Sequence, residues 1–295
     1  MDPWHELTST ILRHVGPAPV ASWSNETLGL TFVAVRQTLE PRPHVYEPGF
    51  ALVVQGEKEL VLGDQVFTCG KGASLVVSVD LPMTFRIPSA TPERPYVALA
   101  MAARPAQVAT LLLESATIER APVEAIGVGV SEAAEDLLDA VVRLVRLLDR
   151  PRDLPVLGPL VEREILWRLL CSEQGPRLRQ IGLADSRLSQ LGRAIRWMRD
   201  NYAALLRIED LARMAAMSVT SFHRHFRAVT LMSPLQYQKR IRLQEARARL
   251  LGGREDVAAI AHAVGYESPS QFSREYKRAY GAPPGVDARS LRARR

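Results

Sequence analysis

Between Ile208 and Pro284 the chain repeats one local plan, and that repeat leaves it few ways to fold. In the second copy, Val257, Ile260, Ala261 and Val264 recur at helical spacing. Gly265 follows, where a helix can end in the left-handed conformation that glycine adopts without steric cost. Ser268 then offers an N-cap, Pro269 fits the first helical position, and Gln271 stands where a capping-box residue reaches back. Phe272 and Tyr276, four residues apart, share the inner face of this next helix. Ser270, Gln271, Arg274, Lys277 and Arg278 are left for its outer face, and Gly281 with Pro283-Pro284 stops it. The first copy is looser. Ile208, Leu211, Ala212 and Met214-Ala215 make its first helix, Ser218 caps the second, and Phe222, Phe226 and Val229 form the inner stripe. A short helix, a tight turn and a second helix with one aromatic and one basic face make a helix-turn-helix. Such a unit holds one helix in a DNA major groove.

The run from Leu235 to Leu251 joins the copies, with Leu235, Ile241, Leu243, Ala246 and Leu250 expected inside. At about 1.5 Å per residue it spans roughly 25 Å, a strut able to set two reading helices about one DNA turn apart. Thr220, Ser221, His223 and Arg224 in the first copy, and Ser270, Gln271 and Arg274 in the second, fall in the early turns that enter a groove. They are the candidate base-reading residues. Arg227, Arg240, Lys277 and Arg278 are the candidate phosphate contacts.

Arg242, Ala246, Leu250, Val257-Ala258-Ala259-Ile260-Ala261, Val264-Gly265-Tyr266, Ser268-Pro269, Phe272-Ser273-Arg274, Tyr276-Lys277, Gly281 and Pro284 together resemble the signature of AraC/XylS-type transcriptional regulators. The resemblance covers about the last third of the chain. It implies sequence-specific binding of double-stranded DNA, RNA polymerase as a partner, and base reading at the positions just named. The chain departs from the family pattern after the final proline. Where an aromatic-Arg pair is common, it reads Val286-Asp287-Ala288-Arg289.

Charge agrees with this reading. The formal net charge is +6, but from Ser186 onward there are 21 Lys and Arg against 9 Asp and Glu. The preceding part carries 17 against 23, so a basic C-terminal third follows an acidic front. That asymmetry points to a polyanion bound by one domain only. No run reaches the ~18 apolar residues that a membrane helix needs. The N-terminus lacks the basic and apolar blocks of a secretion signal, so a cytoplasmic protein is expected.

From about Leu28 to Met101 the chain reads as short β-rich runs. They are Phe32–Val35, Phe50–Val54, Glu59–Leu62, Gln65–Phe67, Ser74–Val77, Thr84–Ile87 and Tyr96–Leu99, punctuated by Gly, Pro, Asp and Asn. Gly63-Asp64 looks like a two-residue hairpin turn with Gly first. Strands at this spacing suggest a small barrel or sandwich. Tyr46-Glu47-Pro48, Val54-Gln55-Gly56, Leu62-Gly63-Asp64 and Val77–Pro82 resemble the cupin-like N-terminal domain of one AraC-type subgroup.

After Pro105 the period becomes helical. Val108, Leu111, Leu112 and Ser115 mark one helix, and Ser131, with Glu132 and Glu135, opens another. Along it Leu137, Val141, Leu144 and Leu148 make an a/d stripe that serves either a core or a dimer seam. The resemblance favours the seam. Leu157 to Cys171 makes a further helix through Leu160, Ile165, Leu166 and Leu169-Leu170. Gly175-Pro176 and the polar run to Ser186 read as a linker.

Cys69 and Cys171 are far apart and form no paired motif, so both are expected as small buried hydrophobes. A cupin-type metal site needs a cluster of His and carboxylates, and the β region offers His44 and Glu47, with no His-x-His. His44, Tyr46 and Glu47 are candidates either for capping strand ends, the favoured reading, or for lining a ligand pocket. His223 and His225 are two apart on a helix and point to different faces, which excludes a shared metal. A Cys-based DNA alkyl-transfer repair protein would need a zinc-holding cysteine cluster that two isolated cysteines cannot supply.

The expected fold is α+β: a cupin-like β-barrel or sandwich with helices over residues 1–184, then an all-α domain with two helix-turn-helix units over 185–295. The expected function is a DNA-binding transcriptional regulator of AraC/XylS type. It is not an enzyme, needs no cofactor or metal, forms a homodimer and answers to a small effector. The alternative is a cupin-type metal-dependent enzyme fused to a helix-turn-helix domain.

Overall fold

The computed structural model describes residues 2–115, 126–182, 187–252 and 256–293. The chain divides into two compact units, Met1–Gly192 with Ala228–Leu231, and Arg193–Arg227 with Met232–Arg295.

Among the described residues of the first unit, a six-stranded antiparallel sheet has the order β1 (Val20–Asn25), β2 (Leu30–Val35), β9 (Tyr96–Ala102), β4 (Gly49–Gln55), β7 (Ala73–Val77), β10 (Val128–Glu132). A four-stranded sheet runs β3 (Leu39–Tyr46), β8 (Leu81–Ile87), β5 (Lys58–Leu62), β6 (Gln65–Cys69). Strand alternation sets the layers. In the large sheet Phe32 and Leu52 both pair with Leu99, and Leu30 and Phe50 with Met101. This buried face packs with apolar residues of helices α1 (Pro3–Val15), α2 (Pro105–Glu114), α3 (Glu135–Leu147), α4 (Leu154–Leu170) and α5 (Gly175–Gly182) in one core. Each fully buried Leu, Ile or Phe there contributes about 1.5–3 kcal/mol. In the small sheet Leu60, Leu62, Cys69, Leu81, Met83 and Ile87 are buried on one face. On the other, Arg86 forks onto Glu59 at 2.6 and 2.7 Å. Gly63-Asp64 joins β5 to β6 as expected, with Gly63 at φ +59°.

Several expectations change. β3 carries Pro41 and Pro43, which weaken its strand signature. It is tolerated because it is an edge strand with a bulge between Leu39 and Arg42. Ser131 and Glu132 lie in β10, and the following helix starts at Glu135 after Ala134. Leu137, Val141 and Leu144 are buried in the unit's own core with Leu148 packed against it, so this stripe is not a free seam. Gly175–Gly182 is a helix with Leu178 and Ile181 buried, not a linker. The rest of the expected linker, 183–186, lies outside the described residues. Leu160 is 59% exposed, and Cys171 is exposed while Cys69 is buried.

The second unit is helical, built from α6 (Arg187–Asp200) after Gly192, α7 (Ile208–Met214), α8 (Val219–Thr230) as far as Arg227, α9 (Pro234–Gly252), α10 (Val257–Ala263), α11 (Pro269–Tyr280) and α12 (Pro284–Ala293). Ile241, Leu243, Ala246 and Leu250 of α9 are buried as expected, but Leu235 is 62% exposed. No helix among the described residues is long and apolar enough to cross a membrane.

Candidate nucleic-acid interface

α7 and α8 form the first helix-turn-helix. Leu211, Ala212 and Ala215 are buried on α7's side, and the turn passes through Ala216 at φ +51°. The Ser218 hydroxyl accepts from Ser221 N at 3.3 Å, so it caps α8 as its sequence implied. Phe222 and Phe226 are fully buried, their ring centroids 5.5 Å apart, and Phe226 meets Tyr237 of α9 edge-on at 5.4 Å. On the opposite face Thr220, His223, Arg224 and Arg227 are exposed and Ser221 is half-buried. His225 is buried, and Arg224 donates to its Nε2 at 3.4 Å. The two histidines therefore do point apart.

α10 and α11 form the second. Asp256 caps α10 by accepting from Ala258 N at 3.3 Å. Gly265 makes the turn at φ +91°. A Cβ there would stand 2.4 Å from the Ala203 carbonyl oxygen, so the position admits only glycine. Ser268 caps α11 through Gln271 N at 3.3 Å. Phe272 and Tyr276 are fully buried, whereas Ser270, Gln271, Arg274, Lys277 and Arg278 are exposed. The Gln271 side chain does not close a capping box. Its amide donates to Glu275 Oε1 at 3.4 Å.

The frame behind α11 rests on Glu275, Lys239, Arg247 and Asp287, to which sequence reasoning assigned no role, together with the signature residues Tyr266 and Arg242. Glu275 also accepts from Lys239 at 2.9 Å and from the Tyr266 hydroxyl at 2.8 Å. Desolvation alone would raise its pKa, but the Lys239, Tyr266 and Gln271 donors bring it below the usual carboxylate range. Arg242 donates to the carbonyls of Tyr202 (2.7 Å), Gly265 (2.7 Å), Ala203 (3.2 Å) and Ala204 (3.0 Å). Asp287 of α12, in the segment that departs from the family pattern, is buried. It accepts from Arg247 at 2.9 and 3.2 Å and from the Tyr276 hydroxyl at 2.8 Å. Burial and Asp287 hold that phenol well above its ordinary pKa. Arg240 is half-buried, and desolvation lowers its pKa. It is placed less openly than Arg227, Lys277 and Arg278.

In the first unit, His44 and Glu47 are exposed and Tyr46 is half-buried. His44 and Tyr46 meet edge-on at 4.8 Å, and Lys58, which the sequence did not mark, lies 4.8 Å from the Tyr46 ring centroid.

Two capped helices, each with a buried aromatic stripe and an exposed polar, basic face, define the double helix-turn-helix class of DNA-binding domain. Residues 27–177 match the family described as AraC-type transcriptional regulator N-terminus, and residues 211–290 match a helix-turn-helix domain family. The chain belongs to the AraC-type transcriptional regulator family. It is 29% identical over 149 residues to the HTH-type transcriptional activator RhaS of Escherichia fergusonii, covering 50% of this chain and 52% of RhaS. It is 41% identical over 78 residues to an AraC-like transcription regulator of Streptomyces lividans, covering 26% of each. The chain thus spans about half or less of the length of these curated relatives. Its fold is similar to that of ToxT from Vibrio cholerae, with a TM-score of 0.58 and 10% identity over 88% of this chain and 97% of that one. The relatives are transcriptional regulators, which are not enzymes, and the fused metal-dependent enzyme gains no support from them.

Proposed function

We propose that this chain is a one-component transcriptional regulator that lays α8 and α11 in two adjacent major grooves of double-stranded DNA. Thr220, Ser221, His223 and Arg224 read one segment, and Ser270, Gln271 and Arg274 the other. Arg227, Lys277 and Arg278 hold phosphates, with Arg240 as a lesser contact. The observation that carries this reading is the pairing of a solvent-facing cationic side with a buried aromatic stripe on each capped helix. The DNA-binding part runs from about residue 185 to 295 and the sensing part over 1–184. The protein works in the cytoplasm, contacts RNA polymerase and responds to a small molecule held near His44, Tyr46 and Glu47. It pairs as a homodimer, a reading supported by the exposed Val156, Leu157 and Leu160 on one side of α4.

The test is selection from a randomised DNA pool followed by footprinting. Two protected patches about 10 base pairs apart on one face are expected, with affinity falling steeply as salt rises. Salt-independent binding, or no binding at low salt, overturns the reading. One compact patch reduces it to a single inserted unit.

A further inference from the structure

β5 sets Lys58 opposite Cys69 of β6, and Leu60 opposite Phe85 of β8. β3 sets His44 opposite Met83 and Tyr46 opposite Leu81. The pleat therefore puts Lys58 and Tyr46 on the same face as Leu60, Leu62, Cys69, Leu81 and Met83, which are fully buried. A lysine on that face takes a charge among apolar neighbours. Its ammonium stands 4.8 Å from the ring centroids of both Tyr46 and Phe85. Among the described residues no carboxylate forms an ion pair with it. Two ring faces attract an ammonium but do not replace the water it gives up. Burial accordingly brings the Lys58 pKa down to about 8.

The Tyr46 hydroxyl, on one of the rings that Lys58 caps, is buried and has no hydrogen-bond partner. Cys69 does not serve as the missing anion, because burial pushes its thiol up to about 11. Two neighbouring donors thus lack the same thing, an acceptor oxygen. Native proteins rarely leave such groups unmet. The rim is open, since His44 is exposed and Lys58 is only half-buried.

We propose that Lys58 and Tyr46 form the polar floor of a site for a small organic carboxylate. One carboxylate oxygen takes the Lys58 ammonium, the other takes the Tyr46 hydroxyl, and the Phe85 and His44 rings lie against the apolar body. A carboxylate making hydrogen bonds of about 2.8 Å at each end has the reach for both. The inference rests on the reading that the first unit senses a small molecule, and it names that molecule's class.

The experiment uses the whole chain in calorimetry and thermal shift. The probes are straight-chain and aryl carboxylates of increasing size, their neutral amides, and inorganic phosphate. At least one carboxylate is expected to bind ten-fold or more tighter than its amide and than phosphate. Lys58→Met is expected to abolish that preference, and Tyr46→Phe to weaken the acid three- to ten-fold while leaving the amide unchanged. If Lys58→Met does not fold, Tyr46→Phe, which removes one oxygen, carries the test alone. Failure of every carboxylate, or equal affinity in the variants, overturns the proposal. Amides that bind while no acid does leave the sensing reading standing and overturn only the ligand class. If no probe binds and a broad neutral library also fails, the sensing reading falls with it.

Discussion

The two helix-turn-helix units follow one plan and close it by different means. The second turns at Gly265, φ +91°, pressed against the Ala203 carbonyl. The first turns at Ala216, φ +51°, an exposed position where an alanine tolerates the left-handed region at a modest cost. α11 is braced by a polar frame through Glu275, Arg242 and Asp287, whereas α8 leans on the tilted and edge-on rings of Phe222, Phe226 and Tyr237. The contrast teaches that a turn's demand for glycine comes from what stands against it as well as from its dihedral.

Gly265→Ala would break the comparison hardest. Backbone strain and the clash with Ala203 are expected to cost about 3 kcal/mol or more, read from urea denaturation of the whole chain. A loss under ~1 kcal/mol would make the two turns equivalent. Asp287→Ala strands the Arg247 guanidinium and the Tyr276 hydroxyl, for an expected loss of about 2–3 kcal/mol in the same assay. An unchanged midpoint would mean the polar frame is idle. Arg274→Ala and Arg224→Ala should each lower affinity for the best site by about 1–3 kcal/mol and relax preference at one base pair. Equal weakening across a randomised pool would move either residue to the phosphate group, and a response from Arg274 alone would leave only the second unit reading. Lys277→Ala is expected to weaken all sequences alike and reduce the salt slope by about 1. Ala216→Gly should act in the opposite sense to Gly265→Ala, stabilising the chain by up to about 0.5–1 kcal/mol through relief of the positive φ. Destabilisation there would show that unfolded-chain entropy outweighs the strain.

What the sequence shows clearly is local. Ser218 and Ser268 cap the helices their neighbours announced, and Gly63 and Gly265 turn where their places implied. Features set by distant partners are hidden. Leu137, Val141 and Leu144 announce a buried face without saying what buries it. The helix Gly175–Gly182 starts on glycine and carries Arg and Gln between its buried Leu178 and Ile181, so it passes for a linker. Asp287 acquires its role only when Arg247 and Tyr276 arrive from other helices. Lys58 passes for an ordinary surface residue, although its parity with Leu60 and Leu62 is a signal that it faces inward. The exposed Leu235 and Leu160 show the converse, apolar residues at plausible helical positions that the packing leaves outside.

Arg242 joins the Tyr202–Ala204 segment, which leads into the first helix-turn-helix, to the turn of the second helix-turn-helix, and does so from the middle of one continuous helix, Pro234–Gly252. Such a joint leaves little play in angle between α8 and α11. On a duplex, angle is phase, because each added base pair swings the next groove through about a tenth of a turn. On the proposed reading, a stiff pair of reading helices measures spacing as strictly as it reads letters. Five base pairs inserted between the half-sites would carry one groove to the far side of the helix, and the protein would have to let it go.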